Sequence, residues 1–380
     1  MVSMRHFNKV LQVDKENCTV VVEGGVVLSD LNEILADNGL ALGILGSISY
    51  ITLVGAISTG VHGTGINYGI TSSYVKEVTL MKADGDVITV SRETDEKTFL
   101  AACVSLGALG VILSVKIQCE PAFHLEQIRY GAKRKKVMGE LDSLMARADH
   151  LRMMWYPLTD DCTVFETKRS EKPIKRSRSW FWEIAVSYHL VQFLYWLSTF
   201  LPLLLPAISW FCVTVLESQR QEIVDRSDRL FNFDCLFDQY VMEWAFPREK
   251  TVAVIEELKR WIDTTGFKVH FPIEVRFTKA DDIYLSPCYA QDSCYINIVS
   301  FRPYGKEVPH EDYWKAFQDI VFKAGGRPHW AKDHTLTSEE LSAMYPRWTD
   351  FQMVRQRLDP DGMFTNTNLE RVLGPGIGSN

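Results

Sequence analysis

The sequence has few cysteines, and no two of them stand at the spacing of a metal or redox motif. Its 380 residues include 8 cysteines, none in a C-x-x-C pair and none grouped with histidine as in a zinc site. We therefore expect no metal ion, and the low density excludes a disulfide-stapled scaffold. Basic residues are not in excess either. The net charge of −7 argues against nucleic acid as the main partner.

The first residues, 1–6, contain no apolar run, so we expect no signal peptide there. Hydrophobic residues make up 46% of the chain and charged residues 23%, which is typical of a globular protein with a sizeable core. The length fits two or three domains. No internal repeat is present, and composition does not determine the oligomeric state.

The pattern up to Pro121 predicts hairpins and short helices. We expect Ser29 to cap a helix that Asn38-Gly39 closes in the left-handed conformation. A polar turn at 14–17 and Asp84-Gly85 each separate two β-branched runs, which predicts two hairpins. The expected elements are strands at 10–13, 19–23, 75–81, 87–90 and 111–118, a helix at 99–104, and a loop at 43–73.

Beyond Pro121 strands and helices alternate irregularly, which predicts an α+β arrangement. After Arg248 an apolar stripe of Val252, Ile255, Leu258 and Ile262 recurs at helical spacing. The other expected elements are helices at 133–147, 311–324, 337–344 and 347–357, and strands at 153–156, 163–166, near 269, at 273–277 and at 295–299. We expect residues 374–380 to be a disordered tail.

Residues 180–216 form the most apolar part of the chain. Four basic residues precede this segment, Glu183 lies within it, and Pro202 and Pro206 interrupt it. Three interpretations stay open: a helix that spans a bilayer, a helical hairpin that lies in the membrane surface, and buried helices between domains. Its tryptophans, Trp180, Trp182, Trp196 and Trp210, suit an interfacial belt, so we expect contact with membrane lipid.

Five glycines punctuate residues 46–65 among hydroxyl and apolar side chains: Gly46, Gly55, Gly60, Gly63 and Gly65. Glycine lets a backbone approach a ligand closely and exposes N–H groups that can hold phosphate or a polar ring edge. The strand–turn–helix context of the dinucleotide fingerprint is absent here. From these residues alone, a cofactor loop and a mobile surface loop are about equally favoured.

Two motifs in the second half place charged groups at short spacing. In Pro272-Ile273-Glu274-Val275-Arg276-Phe277, a strand would direct Glu274 and Arg276 to one face, where a plain ion pair is the simplest interpretation. Residues 325–332 read Gly-Gly-Arg-Pro-His-Trp-Ala-Lys and end on His329 and Lys332.

These motifs together resemble those of the aldonolactone oxidases, which have the vanillyl-alcohol-oxidase-type FAD fold. The stretch from Val54 to Gly65 is similar to the family's flavin-binding loop, and Leu106–Ile112 is similar to its companion along the adenosine end of FAD. The resemblance implies a partial FAD-binding domain of the PCMH type at 1–120 and a larger substrate domain at 121–380, whose last segment returns to the FAD domain. The residues it assigns to FAD are Gly46, Ser47, Thr52, Gly55, Thr59, Gly60, Val61, His62, Val111 and Ile112.

The same resemblance assigns roles around the substrate. Arg276 would stabilise negative charge on the reduced flavin or on a substrate oxygen. Glu274 would bind substrate hydroxyls, and Lys332 would lie near the flavin or the substrate, with His329 orienting its strand. The resemblance implies oxidation of an aldono-1,4-lactone, L-gulono-1,4-lactone or a close analogue, with formation of ascorbate. A small residue at the position of Gly46 implies that oxygen reaches the flavin, so we expect an oxidase that releases hydrogen peroxide.

One departure from the family concerns the first residues. Family members begin with a subdomain whose Gly-Gly-Gly-His-Ser loop wraps the pyrophosphate, and its histidine often bonds covalently to the flavin. This sequence enters the pattern partway into the FAD domain. We expect weakened FAD binding if the chain is used as it stands. Two rivals follow: a flavoenzyme for another polyol or lactone, and an inactive membrane-associated relative. The expected location is the endoplasmic reticulum membrane.

Overall fold

The computed structural model describes residues 3–176, 181–217, 219–233 and 237–375. The strands are β1 (Val10–Asp14), β2 (Thr19–Glu23), β3 (Leu40–Ala41), β4 (Val75–Met81), β5 (Val87–Ser91), β6 (Val111–Gln118), β7 (Glu120–Pro121), β8 (His124–Lys133), β9 (His150–Tyr156), β10 (Asp161–Ser170), β11 (Gln221–Arg226), β12 (Gln239–Pro247), β13 (Ile273–Thr278), β14 (Ser293–Phe301) and β15 (Arg327–Pro328). The helices are α1 (Leu28–Asp37), α2 (Leu53–Ser58), α3 (Glu96–Ala102), α4 (Arg134–Gly139), α5 (Leu141–Arg147), α6 (Val191–Ser198), α7 (Leu205–Phe211), α8 (Ser227–Phe231), α9 (Thr251–Thr265), α10 (Glu311–Lys323), α11 (Ser338–Met344), α12 (Trp348–Leu358) and α13 (Thr367–Leu373). Helices and antiparallel sheets confirm the predicted α+β class.

The first sheet has five antiparallel strands in the order β1-β2-β6-β4-β5. Both predicted hairpins are confirmed, and Gly85 adopts a φ of 88° in the second turn, a conformation that glycine takes without strain. In β4 the side chains of Val75, Val78 and Leu80 are buried and point into the core.

The second sheet has eight strands in the order β11-β8-β10-β9-β13-β14-β12-β15. Strand β13 lies near its centre, between β9 and β14, and all six of its residues are buried. The last helices turn back towards the first sheet, where Arg357 of α12 lies 3.1 Å from Asp95. Because β13 lies inside the second sheet, Glu274 and Arg276 are held at buried positions.

Two predictions about helix ends and length are wrong. Helix α1 begins at Leu28 with Val27 as its N-cap, so Ser29 already lies inside the helix and caps nothing. The bridge between Val27 and Thr52 fixes this start from a distant segment. The helix expected at 133–147 is two helices, α4 and α5, because Glu140 departs from helical geometry.

Four further details differ from the expectation. Val252 is 39% exposed, and Val254 takes its place in the buried stripe of α9. Val269 is buried but belongs to no strand. The glycine-rich stretch at 43–73 contains α2 and is not a continuous loop. Helix α13 was not predicted. Residues 376–380 of the expected tail lie outside the described residues.

The apolar segment folds as short helices. Helix α6 and helix α7 are separated by a helical turn at Pro202–Leu204, and π-helical stretches at Phe181–Leu190 and Cys212–Glu217 flank them. Tyr195 and Ile208 are buried in a cluster with Phe301, so one side packs against the second sheet. Within the described ranges, every helix is too short or too polar to cross a bilayer. Trp180 lies outside the described residues.

Candidate active site

A cavity of about 560 Å³ lies between the glycine-rich stretch and one face of the second sheet. Its size is that of a ligand site rather than a packing defect. The structure brings most of the predicted site residues to its wall. Those that line it are Gly46, Ser47, Thr52, Gly55, Thr59, Val61, His62, Glu274, Arg276, His329 and Lys332.

Three predicted residues do not line this cavity. Gly60 has a φ of 69° and faces Pro287 and Ile70. Val111 and Ile112 lie in β6, where they pair with β4. Their assigned contacts with the adenosine end of FAD stay a prediction.

Hydroxyl side chains shape the glycine-rich wall. The Thr52 hydroxyl accepts a hydrogen bond from the Gly55 N–H at 3.1 Å and so caps α2. At the other end of α2, the Thr59 hydroxyl donates to the Gly55 carbonyl at 3.0 Å. A Cβ added at Gly46 would lie 2.6 Å from Val61 Cγ1. Glycine at 46 therefore permits a close approach within the wall.

The sheet wall carries a polar row that runs across adjacent strands. Asn297 of β14 is the register partner of Glu274 on β13 and of Glu243 on β12. Met154 of β9 extends the row beyond Glu274. All four side chains line the cavity. Neither Glu243 nor Asn297 was predicted. The one local signal is a polar residue within an apolar stretch, and that signal does not tell which site the residue belongs to.

Arg276 is the centre of this polar face. Its Nη2 lies 2.5 Å from Glu243 Oε1, its Nη1 donates to the Ser47 hydroxyl at 3.2 Å, and its Nε lies 3.5 Å from Glu274 Oε2. Burial would lower the pKa of the Arg276 guanidinium, but the Glu243 and Glu274 carboxylates raise it instead. The expected pair of Glu274 and Arg276 is present, and the same two side chains also face the cavity.

His62 connects the two walls. Its ring stacks on Tyr295 with centroids 3.5 Å apart, its Nδ1 lies 2.9 Å from the Gly63 carbonyl oxygen, and its Nε2 lies 3.3 Å from Glu243 Oε1. Burial and the nearby Arg276 charge lower the pKa of His62, and Glu243 only partly opposes them. We infer that the ring is neutral at neutral pH.

His329 and Lys332 follow the short strand β15. His329 donates its backbone N–H to the Glu243 carbonyl at 2.9 Å, and its Nδ1 accepts from the Ala331 N–H at 3.1 Å. Burial lowers the pKa of His329 to about 3. Lys332 is half-buried, and its backbone N–H donates to the His329 carbonyl.

Within the described ranges, His62, Glu243 and His329 are the one group whose ligand atoms approach closely enough to hold a metal, within 4.8 Å of one another. The surrounding hydrogen bonds do not favour a cation there. Arg276 already contacts the Glu243 carboxylate, and the Ala331 N–H occupies one nitrogen of His329.

The residues present fit a flavin ring. Two buried polar atoms at the cavity have no hydrogen-bond partner among the described residues: Glu274 Oε1 and Asn297 Oδ1. Polar groups left without partners in a cleft indicate a ligand that supplies them. Apolar side chains such as Ile51, Phe233 and Phe271 complete the wall, as a flat aromatic ring requires.

Comparison with solved structures shows the fold, and a family profile adds the cofactor domain. The fold matches cholesterol oxidase from Brevibacterium sterolicum with a TM-score of 0.79 and 15% identity, over 98% of this chain and 84% of the other. It matches chitooligosaccharide oxidase with a TM-score of 0.68 and 13% identity, over 95% and 79%. The family profile of the FAD binding domain matches residues 1–91. The fold and the site are those of an FAD-dependent oxidoreductase, which confirms the predicted cofactor.

Sequence comparison gives the family. The profile of D-arabinono-1,4-lactone oxidase matches residues 115–372. The chain is 47% identical to L-gulonolactone oxidase of Scyliorhinus torazame over 98% of this chain and 85% of the relative, and 44% identical to that of Mus musculus over the same shares. It is 32% identical to L-gulono-1,4-lactone dehydrogenase of Mycobacterium tuberculosis, over 99% and 86%. The chain belongs to the aldonolactone oxidase family.

Proposed function

We propose that the chain oxidises L-gulono-1,4-lactone, or a close aldono-1,4-lactone, with oxygen as the electron acceptor. The observation that carries this proposal is the cavity that the Thr59–His62 segment and the Glu274/Arg276 strand share. FAD, when bound, supplies the two-electron oxidation. The product would be a 2-keto lactone, which enolises to ascorbate, and hydrogen peroxide would form from oxygen.

The chain's own residues would bind and orient the lactone. Glu274 presents a buried carboxylate oxygen with no hydrogen-bond partner, and such an oxygen accepts hydroxyl groups well. Asn297 presents an unpartnered Oδ1 beside it. Arg276 would stabilise negative charge that develops in the reaction. Lys332, which also lines the cavity, would bind the lactone or the flavin.

Substrate oxidation tests the proposal directly. The purified, FAD-supplemented chain is assayed for oxygen consumption with L-gulono-, L-galactono- and D-arabinono-1,4-lactone and with xylitol. We expect flavin absorbance in the visible region and the highest kcat/KM with a lactone. A colourless folded protein, or a preference for xylitol, would contradict the proposal. The same chain without added lactone is the negative control.

We also propose that the apolar segment lies on the membrane of the endoplasmic reticulum. Helices α6 and α7 and the turn between them expose Phe193, Phe200, Leu203 and Trp210, and Leu203 is 86% exposed. An apolar patch of this kind, next to a preceding basic stretch, is typical of a monotopic membrane contact.

Vesicle flotation tests the membrane contact. Liposomes of neutral and anionic lipid should carry the wild-type chain, and the double variant Phe200→Ser/Leu203→Ser should stay in solution. Met353→Ser, a change at an exposed methionine on α12, is the matched control and should still float. Equal flotation of all three proteins would refute the assignment. Fractionation of cells that express the tagged chain tests its location.

A further inference from the structure

The ionised side chains that line the cavity balance one another. Glu243 and Glu274 carry negative charge, and Arg276 and Lys332 carry positive charge. His62 and His329 are buried, and burial lowers the pKa of both rings, so neither adds a charge at neutral pH. The cavity wall is therefore close to neutral in sum.

Glu243 neutralises the charge of Arg276, and its side chain is buried. Its side chain is 1% exposed, and its carboxylate lies 2.5 Å from Arg276 Nη2. Glu274 lies on the other side of the guanidinium at 3.5 Å. A second arginine, Arg152, lies on the other side of Glu274 at 3.7 Å and is stacked between two phenylalanine rings. Both carboxylates are thus directed at Arg276, and an incoming anion would meet them.

An aldonolactone in water exists as a closed ring and as its hydrolysed, open-chain form, which differ in charge. The closed lactone is neutral, whereas hydrolysis adds water, opens the ring and gives an aldonate carrying a carboxylate. Hydrolysis also frees the hydroxyl at C4; the other hydroxyl groups are the same, so the two forms differ mainly in charge and shape. A site that contains an arginine and a lysine would ordinarily favour the carboxylate. Specificity for the lactone therefore needs an element that acts against the anion.

We propose that Glu243 is a specificity-determining residue that makes the cavity select the neutral lactone over the open-chain aldonate. This inference rests on the proposed function. The Glu243 carboxylate occupies the cationic face of Arg276 and repels a second carboxylate placed near it. Lys332 has no ion pair within 4 Å among the described residues, and its positive charge attracts the aldonate. The preference for the lactone therefore depends on the two carboxylates, Glu243 and Glu274, together.

Replacing Glu243 with glutamine removes the charge and keeps the shape. The affinity for an aldonate should then rise relative to the affinity for the lactone. Coulomb's law for unit charges about 5 Å apart, with an effective dielectric constant between those of a protein surface and water, gives a change on the order of tenfold to a hundredfold. This change in relative affinity should become smaller at high salt, because ions in solvent that reaches the cavity screen the charges.

The test compares two probes that the flavin cannot oxidise at C2: a 2-deoxy-aldono-1,4-lactone and the carboxylate that its hydrolysis gives. Calorimetry at neutral pH measures both dissociation constants for the FAD-loaded wild type and for Glu243→Gln. Glu166→Gln is the matched control, because it removes a carboxylate paired with Arg147 away from the cavity. We expect the lactone preference to fall at least about tenfold in Glu243→Gln and to stay unchanged in the control.

A preference in Glu243→Gln within about twofold of the wild type would overturn the inference. If this variant does not fold, Glu243→Asp decides instead, because it shortens the reach of the carboxylate towards Arg276. An intermediate fall in lactone preference is expected, and an unchanged preference overturns the proposal. Lactone turnover by the wild type separates the two failures. If the wild type turns over a lactone and the variant keeps the wild-type preference for lactone over aldonate, only this inference is refuted. If the wild type turns over none of the lactones, the proposed function is refuted.

Discussion

The glycine at position 46 makes a sharp test of how oxygen reaches the flavin. The family resemblance implies that a small residue there leaves a path for oxygen, and the structure places Gly46 on the cavity wall. Gly46→Ala adds one methyl group. We expect the oxygen reaction of the reduced flavin to slow at least about tenfold, equivalent to about 1.4 kcal/mol of barrier. Electron transfer to a small artificial acceptor should change little.

The magnitude of the steric effect follows from the contacts. The new Cβ would lie 2.6 Å from Val61 Cγ1 and 3.4 Å from the His62 carbonyl oxygen. The first distance is too short for two carbon atoms, so Val61 must move. Overpacking of this kind costs about 1–3 kcal/mol. The double variant Gly46→Ala/Val61→Ala removes Cγ1 and should recover most of this stability.

The assay is stopped-flow reoxidation of the reduced enzyme, with oxygen and with the artificial acceptor, together with chemical denaturation. Gly139→Ala is the matched control, since a Cβ there meets no atom within 4 Å. An unchanged oxygen rate in Gly46→Ala would refute the oxygen path. Equal stability of the single and double variants would refute the steric account. A parallel fall with both acceptors would show that the flavin itself has moved.

Three other variants probe the cavity. Lys332→Met should lower kcat/KM for the lactone by about ten- to a hundredfold, the range expected for a lost hydrogen bond from a charged group. Arg276→Met leaves Glu243 buried and uncompensated, and should lower the free energy of unfolding at pH 7 by about 3–5 kcal/mol in urea titrations. Thr52→Ala removes the cap of α2 and should lower that free energy by about 1 kcal/mol and weaken FAD binding in fluorescence titrations.

Controls and pH dependence sharpen these tests. Lys323→Met, at an exposed lysine, should leave kcat/KM unchanged. Burial alone would raise the pKa of Glu243, but the Arg276 guanidinium holds it well below its usual value of 4.5. The contribution of Glu243 to stability is therefore complete above pH 4.5 and is lost as the pH falls through its lowered folded pKa. The difference in the free energy of unfolding between wild type and Arg276→Met should therefore become smaller as the pH falls. A difference that grows as the pH falls would contradict the assigned ion pair.

The local sequence determined those parts of the fold whose cause lies within a few residues. The turn at Asp84-Gly85 requires a positive φ that glycine supplies, and Gly39 ends α1 for the same reason. The glycine-rich stretch and the Glu274-x-Arg276 alternation were also visible, because spacing along one strand already places both side chains on one face. Resemblance to a family then assigned them to one cofactor site.

Tertiary structure decided what depends on strand order and on distant contacts. Ser29 has the chemistry of a helix cap, but the bridge from Val27 to Thr52 starts the helix earlier. Glu243 and Asn297 could not be assigned from their own surroundings. Each becomes part of the site because β14 lies between β13 and β12 in one register, which brings residues from three separate strands into a single row. Register is set by the packing of the whole sheet, and a linear pattern does not contain it.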